Sequence, residues 1–129
     1  MRCFPIIYVT DVPRAVDFYT KNFGFTEQFR FPEGEEAGYV ALARDGSDLG
    51  IVDQSSPQQL INRGMGSGAK FELFIYVDDV DVQTEQLRAA GASVLRDPQD
   101  MPWGERLAYA EDPEGNPIAI AAQPRQALP

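Results

Sequence analysis

Tyr8-Val9-Thr10-Asp11-Val12 recurs 68 residues later as Tyr76-Val77-Asp78-Asp79-Val80, and each copy leads into a helical pattern that ends at a glycine, Gly24 or Gly91. A repeat of this length decides the fold, because it makes the chain two copies of one unit instead of one long sequence of elements. Downstream, Ala41-x-Ala43-x-Asp45 returns as Ala108-x-Ala110-x-Asp112, and after a two-residue insertion Leu49-Gly50-Ile51 returns as Ile118-Ala119-Ile120. The chain reads as a single domain, 1–129, with module one over 3–53, a linker over 54–69, module two over 70–123 and a tail over 124–129. Within each module, Phe4 to Val9 and Phe71 to Val77 are β-branched and aromatic and end at Asp-containing corners, which predicts strands. Asp11 and Asp79 then cap helices. Val12, Ala15, Val16, Tyr19 and Phe23 recur at helical spacing, as do Val80, Thr84, Leu87 and Ala90. Three short strands follow in each copy, near 25–31, 39–44 and 49–53, then near 92–96, 105–111 and 117–122. The turns Asp45-Gly46 and Asp112-Pro113-Glu114-Gly115-Asn116 fall at matching places between the last two strands. Gly64-x-Gly66-x-Gly68 has neither the Lys-Ser/Thr nor the strand-to-helix context of a phosphate loop and reads as linker.

At 129 residues, 43% hydrophobic and 24% charged, the chain has the composition of one soluble globular domain. Eleven Lys and Arg against 20 Asp and Glu leave a net charge of −9, which argues against nucleic acid or anionic membrane as partner and favours a cationic small molecule. Histidine is absent, which excludes His-ligated zinc, the two-histidine iron triad and a histidine general base. Cys3 is the single cysteine, so no intrachain disulfide forms. The apolar run Phe4 to Val9 is too short for a signal-peptide core, and no run approaches the ~20 residues of a membrane helix, so a cytoplasmic location is expected.

Strand alternation sorts the side chains. Phe71, Leu73, Ile75 and Val77 fall on one face, with Val40, Leu42, Leu49, Ile51, Leu107, Tyr109, Ile118 and Ile120 assigned to the same helix-covered side. The opposite face collects Phe4, Ile6, Tyr8, Tyr39, Gly50, Glu72, Phe74, Tyr76, Arg106, Ala108 and Ala119. Aromatic and small residues with one carboxylate and one guanidinium make the lining of a ligand cleft, not of a dry helix-packed face. The acidic run Glu33-x-Glu35-Glu36 reads as a solvated hairpin loop.

These motifs in this order, with Asp11, Ala15, Phe18 and Tyr19, then Phe23-Gly24-Phe25, and later Asp112-Pro113-Glu114-Gly115-Asn116-Pro117, resemble the vicinal-oxygen-chelate superfamily over residues 3 to 123. That superfamily contains glyoxalase I, extradiol dioxygenases, fosfomycin-resistance enzymes and bleomycin-resistance proteins. The resemblance implies an α+β fold of two tandem βαβββ modules forming a cup-shaped mixed sheet, assembled as a two-fold homodimer, in some members with swapped modules. It also places the metal-ligand positions of the metal-dependent members at Phe4, Gly50, Glu72 and Ala119. Of these only Glu72 is a ligand, and one carboxylate does not hold a divalent ion that needs about three or more protein donors. No metal, cofactor or catalytic residue is therefore assigned.

Met101-Pro102-Trp103-Gly104-Glu105-Arg106 resembles the Trp-Gly-x-Arg segment of the bleomycin-resistance branch, whose members bind an antibiotic without modifying it. This gives the functional expectation of a metal-independent protein that sequesters a planar or cationic antibiotic-like molecule, with Trp103, Arg106, Glu72, Phe74, Tyr76, Tyr39, Phe4, Gly50 and Ala119 lining the site. Trp103 stacks on ligand or packs at a subunit interface; Glu72 pairs with ligand or with Arg106; Arg106 itself is the alternative clamp for a ligand carboxylate or phosphate. Two other readings stand beside this one. The first is a lyase, isomerase or dioxygenase using Glu72, Tyr39 or Tyr76 as acid or base, or a metal held by Glu72, Glu105 and Glu111. The second is an accessory subunit that keeps the fold as an interaction surface.

Overall fold

The computed structural model describes residues 3–34, 36–56 and 72–123. It divides into two compact units, Met1–Ser67 and Gly68–Pro129, each built as strand, helix and three strands. Beyond residue 56, the expected linker lies outside the described residues, as do the tail 124–129, Glu35, Phe71 and the Gly64-x-Gly66-x-Gly68 run.

Unit one consists of β1 (Ile6–Val9), α1 (Val12–Phe23), β2 (Thr26–Phe31), β3 (Tyr39–Arg44) and β4 (Ser47–Asp53), with sheet order β1-β4-β3-β2 and β1 parallel to β4. Asp11 caps α1 by accepting from the Arg14 amide at 3.1 Å, and Pro13 sits in the first turn, where its missing N–H costs nothing. The helix stops at Gly24, whose φ of 70° is the left-handed conformation that a Cβ would strain. Val12, Ala15, Tyr19 and Phe23 are the buried stripe of α1, and Ile7, Val9, Val40, Leu42, Leu49 and Ile51 are the buried face of the sheet that it covers. Tyr19 anchors this core, edge-to-face with Phe18 at 5.1 Å and with Phe25 at 5.9 Å.

Unit two repeats the plan with β5 (Leu73–Tyr76), α2 (Val80–Ala89), β6 (Val94–Asp100), β7 (Arg106–Glu111) and β8 (Pro117–Ala122), in the order β5-β8-β7-β6. Asp79 caps α2 through the Val82 amide at 3.1 Å, and Val80, Thr84 and Leu87 are buried. The Thr84 hydroxyl is satisfied by donating to the Val80 carbonyl at 2.7 Å. β6 runs four residues beyond the expected end at 96, through Pro98. It lies at the sheet edge, where proline's missing amide breaks no necessary bond, and its pairing slips on either side of Arg96.

One assignment from strand alternation is reversed. Ala108 pairs with Ile120 and Ala110 with Ile118, which places both on the helix-covered face, whereas Leu107 and Tyr109 pair with Ala121 and Ala119 on the open one. The cause is register. Tyr39 opposes Val52 and Leu107 opposes Ala121, so the offset of 68 set by the Tyr-Val-x-Asp-Val motif continues through β7 and the true counterpart of Ala41 is Tyr109. The Ala-x-Ala match is one residue out, and a one-residue slip turns every side chain to the other face. The second copy then gains one residue, in the turn: Arg44 pairs with Ser47 across two residues, while the Asp112 amide bonds the Asn116 carbonyl across three.

Candidate functional site

In both units the sheet face away from the helix carries exposed aromatic side chains. In unit one these are Tyr8, Phe29 and Phe31, with Ile6 and the half-buried Tyr39 among them. Tyr39 stacks obliquely on Phe29 at 6.4 Å. Gly50 lies beneath them, buried; a Cβ there would meet Ile6 Cγ1 at 3.0 Å and Tyr39 Cε2 at 3.1 Å. A cavity of about 800 Å³ opens at the end of this sheet, with Tyr39, Phe31, Asp11 and Asp53 on its wall.

In unit two the ladder sets two rows across the open face. Phe74, Ala119, Tyr109 and Arg96 form one, and Tyr76, Ala121, Leu107 and Gln99 form the other. Ala119, Ala121 and Leu107 are a buried floor against which Tyr109 and Met101 pack. Phe74 and Tyr76 rise from it with their rings edge-to-face at 5.3 Å. The loop before β7 closes through Gly104 N–H to the Met101 carbonyl at 2.9 Å and Met101 N–H to the Glu105 carbonyl at 2.8 Å. That turn leaves Trp103 at its tip, 62% exposed, and returns Glu105 to the sheet.

Glu105 organises the cluster. One carboxylate oxygen accepts from the Tyr76 hydroxyl at 2.6 Å and the other from the Trp103 indole N–H at 2.9 Å. The Tyr76 phenol is held above its ordinary range, first by donating to Glu105, then by desolvation. From sequence Glu105 is marked only as an alternative metal carboxylate; with β7 in its true register, its position two residues before Leu107 marks it for the open face.

Arg106 belongs to the other side. Its guanidinium grips Asp81 of α2 with two bonds, 2.7 and 2.9 Å, and Asp100 of β6 at 3.0 Å. This fork holds the Asp81 carboxyl below its ordinary range, and Asp81 in turn is the largest of the contacts that raise the already high pKa of the arginine. Arg106 therefore does not share a face with Phe74 and Tyr76, and its partner is Asp81, not Glu72. A cavity of about 250 Å³ lies beside it, walled by Asp79, Asp81, Asp100 and Gln123. Of the remaining expected site residues, Phe4 is half-buried, Glu72 is exposed ahead of β5, and Gly50 and Ala119 are buried.

The four positions that the resemblance assigns to a metal do not fit one. Phe4, Gly50 and Ala119 supply no donor side chain, and the Gly50 position is closed by Ile6 and Tyr39. Among the described residues no three His, Cys, Asp or Glu side chains are placed to hold one metal ion, Glu72, Glu105 and Glu111 included. No described helix is long and apolar enough to cross a membrane.

Residues 4–120 match the family model described as the Glyoxalase/Bleomycin resistance protein/Dioxygenase superfamily. Among sequence relatives, an uncharacterized protein of Mycobacterium bovis is 27% identical over 126 residues, covering 95% of this chain and 83% of the relative. The anthracycline biosynthesis protein DnrV of Streptomyces peucetius is 29% identical over 117 residues, which cover 85% of this chain but 42% of that protein. Among solved structures, TioX from Micromonospora sp. ML1 superposes with a TM-score of 0.79 at 27% identity, covering 95% of this chain and 99% of TioX. A family enzyme from Burkholderia phytofirmans PsJN gives 0.79 at 28% identity over 91% of this chain and 94% of its own.

Proposed function

Because the chain belongs to the glyoxalase/bleomycin resistance/dioxygenase superfamily, we propose that it binds and sequesters a planar, antibiotic-like small molecule without a metal and without breaking a bond. The observation that carries this reading is the Trp103–Glu105–Tyr76 cluster: a carboxylate that fixes an exposed indole beside two aromatic rings on an open sheet face. An indole and a pair of edge-to-face rings give a flat heteroaromatic ligand stacking surfaces, each about 0.5–1.5 kcal/mol beyond its buried area. Glu105 keeps lone pairs for a ligand N–H or cation after both protein donors are served. The chain is taken to act as a homodimer in the cytoplasm.

Support for capture over chemistry lies in the residues themselves. A phenol held above its ordinary range stays protonated at neutral pH, which weakens Tyr76 as a general base. Three of the four metal positions, Phe4, Gly50 and Ala119, lack a donor side chain. An anthracycline biosynthesis protein among the relatives is in keeping with a polycyclic aromatic ligand.

The test uses Trp103, the single tryptophan of the chain, as its reporter. Titration with a panel of planar antibiotics, an anthracycline and a bleomycin-type glycopeptide among them, is expected to quench its emission saturably, with the ligand recovered intact by mass spectrometry. Chemical conversion of the recovered ligand would replace sequestration by catalysis.

A further inference from the structure

The open face of unit two has a second polar end. Arg96 of β6 opposes Tyr109, and Tyr109 opposes Ala119, which opposes Phe74, so Arg96 closes the row that Phe74 begins. Its neighbour Asp97 turns the other way, to Arg88 of α2 at 2.5 Å, as strand alternation requires. The guanidinium of Arg96 donates twice to the side-chain oxygen of Gln99, at 2.5 and 3.2 Å, and Gln99 occupies the same face opposite Leu107. Arg30, Arg88 and Arg106 each donate to a carboxylate, whereas the partner of Arg96 is a neutral amide. In a chain of net charge −9, that leaves a cation with its Nη1/Nη2 edge open beside an exposed aromatic row and, among the described residues, no carboxylate bonded to it.

We infer that the ligand of this face carries an acidic group, a carboxylate or an ionised phenol, which Arg96 holds while the aromatic body lies across Tyr109 toward Phe74 and Trp103. The inference deepens the sequestration reading and rests on it. Three strand spacings separate β6 from β5, about 14 Å, longer than one aromatic ring, so the ligand is elongated or polycyclic. Its two ends are of opposite character: an anion at Arg96 and a hydrogen-bond donor at Glu105. Net charge alone would have favoured a purely cationic ligand; the local field at Arg96 selects differently, because at contact distance one guanidinium fork outweighs screened charges elsewhere on the surface.

The experiment compares anthraquinone-2-carboxylate with its primary carboxamide, the same ring with and without the charge, by quenching of Trp103. Wild-type protein is expected to bind the acid roughly 10- to 100-fold more tightly than the amide, the range of one charge-assisted contact. In Arg96→Gln the acid should lose far more affinity than the amide, so that the two converge, and Arg96→Lys should restore part of the preference. Equal binding of acid and amide by wild type would overturn the assignment of Arg96 and leave sequestration standing. No quenching by either probe or by the panel of planar antibiotics would overturn both.

Discussion

Asp112 is the residue on which the β7–β8 hairpin, and with it the floor of the open face, depends. Its carboxylate is 5% exposed and accepts three bonds of 2.9 Å, from the amides of Glu114 and Asn116 and from the side-chain nitrogen of Asn116. Hydrogen bonds to a charged group are worth about 1.5–3 kcal/mol each when one partner is removed, but the partners here are half-buried, so water replaces part of the loss. Asp112→Ala should therefore cost about 3 kcal/mol, and Asp112→Asn, which keeps one acceptor oxygen but turns an amide NH2 toward Asn116, about 1–2 kcal/mol. Asn116→Ala removes one of the three bonds and should cost about 1 kcal/mol, with little added to Asp112→Ala in the double variant because the two share a network. Urea unfolding followed by circular dichroism measures this. With a slope of about 1.5–2 kcal/mol/M, the Asp112→Ala midpoint falls by roughly 1.5–2 M while the slope stays constant. An Asp112→Ala protein within about 0.5 kcal/mol of wild type, or a double variant whose cost equals the sum of the singles, would refute the idea that this carboxylate assembles the turn.

Three further outcomes are expected. In Glu105→Gln the Tyr76 phenol loses the partner that holds its titration up, so its ionisation moves down toward the ordinary value of about 10; tyrosine-labelled NMR reads this, and an unmoved titration would show that Glu105 is not the cause. Gly50→Val should destabilise by about 1–3 kcal/mol through overpacking against Ile6 and Tyr39, and Ile6→Ala in the same chain should recover part of that loss in thermal melts. Asp53, held low by the Ser55 hydroxyl and amide, and Glu27 and Asp81, held low by Arg30 and Arg106, titrate below their unfolded values. The unfolded chain therefore takes up protons first on acidification, so the stability these groups supply is complete above about pH 5 and is lost as pH falls through 4 and below. Melting temperatures between pH 7 and 3 should trace this decline, with a shallower acid limb in Arg106→Gln.

The helices and their caps, which rest on contacts close along the chain, were legible in the sequence. The Asp caps at 11 and 79, the buried stripe Val12, Ala15, Tyr19 and Phe23, and the Tyr-Val-x-Asp-Val repeat all lie where the sequence predicts. A helix start needs only a side chain three residues from an amide, and a helical face is written in a period that one window contains. The aromatic open face was legible for β1 and β5, since alternation within one strand needs no partner. The tertiary structure alone decided the face of β7. There the pattern Arg106-Leu107-Ala108-Tyr109-Ala110 alternates equally well in either sense, and only pairing with β8 fixes which residues point to the helix. That single register moved Arg106 to Asp81, brought Leu107 and Tyr109 to the open face and made Glu105 the link between Tyr76 and Trp103, 29 positions apart in the chain in the first case. Strand side chains repeat every two residues, so an error of one in a turn length inverts the face completely, and a turn's length is settled by the ladder it closes.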